Sequence, residues 1–150
     1  MQEITTNAAV AQAIKAAEDH LPRLRIDLAH RLALSERLDR MEAELSDSIE
    51  EQVRFLQARD FAAGARQYLE SALVNLAHAP AVFAVLEGEG AVEADLAQHM
   101  RDTVADEVAY APLQGVRPEA AVLASLGSIG HALSSAESLH EKAFRLINGR

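Results

Sequence analysis

Apolar residues recur every three or four positions along almost the whole chain. Val10, Ile14, Ala17 and Leu21 step by four, three and four, the period of an amphipathic helix. They predict a first helix from about Thr6 to His20, with Thr6 or Asn7 as N-cap. Pro22 ends or kinks it, since proline restricts the residue before it and suits the first turn of a new helix. Leu24, Leu28, Leu32, Leu34, Leu38, Met41, Leu45, Ile49, Val53 and Leu56 then keep a mixed spacing to about Ala58, which predicts one long helix. At about 1.5 Å per residue it would run about 55 Å, longer than a compact domain of this size is wide. Part of it is therefore expected to project, or to pair with another chain along a seam of Leu38, Met41, Leu45 and Ile49. A break at Ser46–Ser48 competes, because Ser48 and Glu51 have capping-box spacing. The stripe passes through that point without a change of phase, so the continuous helix is the expectation.

Asp60 can cap a third helix carrying Phe61, Ala65, Leu69, Ala72 and Leu76, and Pro80 starts a short apolar helix ending at Gly88. After the linker Glu87-Gly88-Glu89-Gly90, a fifth helix from about Val92 to Tyr110 carries Leu96, Met100, Val104 and Val108. Ala111 to Pro118 reads as a loop. The last helix, from about Glu119 to Ile147, aligns Val122, Leu126, Ile129, Leu133, Ala136, His140 and Ile147. Gly127 and Gly130 lie inside it, each costing about 1 kcal/mol relative to Ala, so they mark a kink or a backbone closely approached by another helix. The fold class expected is all-α, with residues 1–150 forming a single helical domain. Its architecture would be a bundle of about five to six helices with one long coiled-coil-like member.

Composition narrows the function classes. The chain of 150 residues contains no Cys, which removes thiol nucleophiles, thiolate metal sites and disulfides. With 14 Lys+Arg against 23 Asp+Glu the net charge is −9, which argues against a nucleic-acid partner. The N-terminus lacks the charged start and unbroken apolar run of a signal peptide, and a cytoplasmic location is expected. The most apolar stretch, Ala72 to Leu86, is interrupted by Asn75, His78 and Pro80 and is shorter than the about 20 residues that span a bilayer. No membrane partner is expected.

Phosphate-cradling, zincin and nucleophile-elbow motifs are absent, leaving carboxylates and histidines on helices. Asp27-x-x-His30 and Glu137-x-x-His140 are acid–histidine pairs at i,i+3, a spacing that puts both members on one helix face within reach of one metal ion. Glu107 falls among Met100, Val104 and Val108, where a buried carboxylate would need a metal, an Arg or a proton. Arg31 is the leading candidate for that Arg. In chain order Asp27-x-x-His30, Glu107 and Glu137-x-x-His140 resemble the ferritin-like di-iron pattern, which implies iron or manganese as cofactor and a storage or oxidase role. The chain departs from that pattern in having Asp for the first Glu and no second carboxylate clearly facing the core. Histidine phosphotransfer finds less support: His140-Glu141-Lys142 superficially resembles a phospho-acceptor site, but too little chain follows it, and His30 lacks the Lys-containing neighbourhood.

A second constellation, Asp95, His99, Asp102 and Asp106, lines one face of the fifth helix. The stretch Glu87 to Glu107 carries seven acids and one Arg, net −6, and would attract a basic partner surface. Between Arg23 and Arg40 five Arg meet three acids, so the two segments can complement one another within or between chains. The function expected is a non-enzymatic adaptor or regulator acting through helix-mediated contacts, without cofactor. It would self-associate, a dimer being favoured, and dock a protein with a basic surface on the acidic face. The alternative is the carboxylate–histidine metalloprotein.

Overall fold

The computed structural model describes the backbone of residues 2–149 and the side chains of residues 8–149. Within them the chain is all-α: α1 (Gln2–Asp19), α2 (Leu21–Ala43), α3 (Ile49–Ala77), α4 (Pro80–Gly88), α5 (Ala94–Tyr110), a 3-10 turn (Ala111–Gln114) and α6 (Pro118–Ile147). Helix α1 starts before Thr6 and Asn7, so neither is its N-cap. His20 keeps α-helical dihedrals at the junction, and Pro22 occupies the first turn of α2, where its missing N–H leaves no bond unmade.

The expected continuous helix is broken. Helix α2 stops at Ala43 and α3 begins at Ile49, because local hydrogen bonds there outcompete propagation. Ser48 is an extended N-cap whose Oγ accepts from Glu51 N at 3.4 Å. Ser46 Oγ donates to Glu51 Oε2 at 2.5 Å, and Gln52 Nε2 donates to Ser46 O at 3.1 Å. Beyond this cap the helix runs through Asp60 without interruption, so Asp60 caps nothing.

The two longest helices, α3 with 29 residues and α6 with 30, each about 45 Å long, pack along one another over most of their length. They are antiparallel: Phe61 of α3 meets Lys142 of α6, whose ammonium lies 5.8 Å from the Phe61 ring centre, and Gly64 lies against Leu139. Helix α2 runs parallel to α6, with Arg23 bonded to Glu137 and Arg37 to Asn148. Gly130 lies under His20, so close that an added Cβ would come within 3.3 Å of the imidazole, whereas Gly127 faces open space. The close-approach reading therefore holds for Gly130 alone.

The buried apolar residues form two clusters. The larger joins Leu24, Leu69, Leu73, Leu76, Phe83, Leu86, Ile129 and Leu133, and the smaller joins Leu34, Leu38, Phe55, Ala58 and Ala143. Three of the four seam residues expected to face another chain are placed in this smaller cluster or against it: Leu38 is buried, and Met41 and Leu45 pack on it. Once the chain folds back at Glu44–Ser48, α3 and α6 cover that stripe from within. Ile49 is 78% exposed. No helix of the described residues is long and apolar enough to cross a membrane.

Candidate metal centre

Between the two apolar clusters lies a polar layer. On α2 it falls between Leu24 and Leu34, and on α6 between Ala136 and Ala143. Asp27 and His140 meet there, 0% and 2% exposed, among the few buried polar residues. Helical spacing puts them inside: Asp27 follows Leu24 by three and His140 follows Leu133 by seven, so both occupy the apolar stripe of their helices.

His140 Nδ1 stands 3.5 Å from Asp27 Oδ1, yet neither oxygen of Asp27 nor Nδ1 of His140 has a hydrogen-bond partner. A desolvated carboxylate without partners is costly, and the separation is longer than a charge-assisted hydrogen bond, about 2.7–2.9 Å. His30, one turn after Asp27, completes the group. Its ring stands edge-on to His140 at 6.0 Å between centroids and to Phe144 at 5.9 Å. One ligand atom from each of Asp27, His30 and His140 lies within 4.8 Å of the others, the sole such group of three or more His, Asp or Glu among the described residues. Two imidazoles and a carboxylate are a donor set for a divalent first-row transition ion. The exposed His30 side opens into a cleft of about 490 Å³ bordered by Ile26, Glu137, Glu141 and Phe144.

The other two residues of the sequence-derived metal set are held elsewhere. Glu137 borders the same cleft, but its Oε1 accepts from Arg23 Nε at 2.9 Å, while Arg23 Nη2 donates to Ser134 Oγ at 3.1 Å. The Glu137 carboxylate raises the Arg23 pKa above its ordinary value, against the opposing effect of burial. Glu107 is half exposed and pairs with His78, Nε2 to Oε2 at 3.2 Å, not with Arg31. The expected burial fails there because only the N-terminal half of α5 is covered: Ala97 and Met100 are buried, whereas Val104 and Val108 are half-buried. Neither Glu107 nor Glu137 thus joins Asp27, His30 and His140, and the three residues brought together suit a single ion.

Asp95, His99, Asp102 and Asp106 are all exposed on α5, Asp102 accepting from Gln98 Nε2 at 2.9 Å. Complementarity between the basic stretch of α2 and the acidic segment is made inside the chain, through paired bonds of 2.7 Å from Arg25 to Glu89. Arg25 holds the Glu89 carboxyl below its ordinary pKa.

Two partners escaped the sequence reading, His78 for Glu107 and Arg23 for Glu137. A signal existed for Arg23, which stands at i−4 from Asp27 and so shares its face; none existed for His78, which caps the far end of α3. No family model, curated protein or solved structure matches the chain.

Proposed function

We propose that this chain is a helical metal-binding protein that holds one divalent transition ion, iron or manganese class, through Asp27, His30 and His140. The observation that carries this reading is the Asp27 carboxylate, fully buried, with both oxygens unpartnered and two imidazoles beside it. An ion there would satisfy the carboxylate and His140 Nδ1 together, and the three-ligand set leaves further coordination positions facing the cleft. Metal content after purification without chelator, and titration of the apo protein with Mn²⁺ and, anaerobically, Fe²⁺, test it. One ion per chain is expected, lost in both Asp27→Asn and His140→Ala. A wild-type chain that binds none, or variants that bind as well as wild type, overturns the proposal.

A second reading, contact through helices, is favoured by one feature. Ile49, Val53 and Leu56, at i, i+4 and i+7 of α3, are 78%, 45% and 45% exposed, a row of apolar side chains on one face. This row supports self-association through the start of α3 in place of the seam at Leu38, and the acidic face of α5 remains free for a basic partner. Sedimentation equilibrium at tens of micromolar, where interfaces of about micromolar affinity are populated, checks it: a dimer lost in Leu56→Glu is expected, and a strict monomer excludes it.

A further inference from the structure

The acid–histidine pair of α6 is only half engaged. Glu137 and His140 share a helix face at i,i+3 and border the same cleft, yet only His140 is brought to Asp27 and His30. Glu137 is turned aside by Arg23, which stands one turn before Asp27 on α2 and is anchored a second time by Ser134. Arg23 therefore presents its charge to Glu137 and, more weakly, to Asp27, and its pKa rises in response to each of them. The bridge itself is accessible, with side chains 36% and 42% exposed, and ion pairs of this kind exchange readily with water.

We infer that Glu137 is a fourth ligand of this centre and that Arg23 is its latch, so that the guanidinium and the ion compete for one carboxylate. The inference rests on the reading of Asp27, His30 and His140 as a metal site. Rotation of the Glu137 side chain is all the exchange requires, because the backbone of α6 already holds it one turn from His140. Arg23 is left with Ser134 and water.

The latch makes a non-additive prediction, which separates it from simple repulsion between Arg23 and a cation. Co²⁺ is titrated into the full chain as wild type, Arg23→Met, Glu137→Gln and the double variant, and its visible d–d absorption is followed. Met keeps the apolar stem of Arg23, and Gln keeps a hydrogen-bond acceptor for Arg23. Arg23→Met is expected to tighten binding about tenfold, the scale of changes around metal ligands. Glu137→Gln should weaken binding and alter the absorption of bound Co²⁺, and Arg23→Met should have no effect once Glu137 is Gln. Equal tightening by Arg23→Met in both backgrounds overturns the latch and leaves the three-residue site standing. Equal affinity of Arg23→Met and the double variant overturns Glu137 as a ligand. Absence of Co²⁺ binding in all four chains overturns the three-residue site and the latch with it.

Discussion

Replacing Asp27 by Asn should stabilise the metal-free protein, although polar-to-polar changes at fully buried positions ordinarily destabilise. Both Asp27 oxygens are buried without partners, and His140 Nδ1 beside them is equally unpartnered. Asn conserves the volume, removes the charge and offers an amide N–H toward Nδ1, which lies 3.5 Å from Oδ1 in the native side chain. Relief of an unsatisfied buried polar group amounts to about 1–3 kcal/mol. For a chain of this length that is roughly 2–12 °C in melting temperature. Metal reverses the order: an ion at a thousand times its Kd stabilises wild type by about 4.1 kcal/mol and leaves the Asn variant where it was. Thermal melts of both proteins in EDTA and in excess Mn²⁺ should therefore cross, the variant higher without metal and wild type higher with it. This is the pattern of a site whose residues are strained for function. The reasoning is refuted if Asp27→Asn in EDTA lowers stability by about 3–5 kcal/mol, the signature of breaking a buried structural ion pair.

Three further outcomes follow from other parts of the fold. Ser48→Ala removes the N-cap of α3 and should cost about 1 kcal/mol in urea denaturation, while Asp60→Ala, inside that helix, should not reproduce the loss. Gly127→Ala should stabilise by about 0.5–1 kcal/mol, since nothing lies near the added methyl, and Gly130→Ala should gain less or lose stability because that methyl meets the His20 ring. Glu89 has its pKa lowered by Arg25, so its contribution is complete above the ordinary carboxylate pKa and disappears as pH falls through the lowered one. The stability gap between wild type and Glu89→Gln should accordingly be constant well above about pH 4.5 and close as the pH falls below it, as followed by urea denaturation across pH.

Helical identity, and the inward face of α6 and of the second half of α3, were legible in the order of residues because both depend on contacts three or four positions apart. That is why Leu69, Ala72 and Leu76 of α3, and Ile129 and Leu133 of α6, lie in the core as their spacing requires, whereas the stripe through Ile49, Val53 and Leu56 is exposed. The same local rule placed Asp27 beside His30, and Glu137 beside His140. At Ser46–Ser48 the apolar stripe, which kept its phase across the turn, ranked the continuous helix above the cap, and the structure reverses that order. The fold chose the cap because reversing the chain there buries Leu34, Leu38 and Phe55 against Ala143, a gain available only with α6 in place. Tertiary structure alone decided which helices share a partner. It brought Asp27 and His30 to His140 from opposite ends of the chain, gave Glu137 to Arg23, and left Glu107 with His78. Periodicity reports which face of a helix is covered, and it carries no information about what covers it; the pairing of α2 with α6 is set by the joint packing of all six helices.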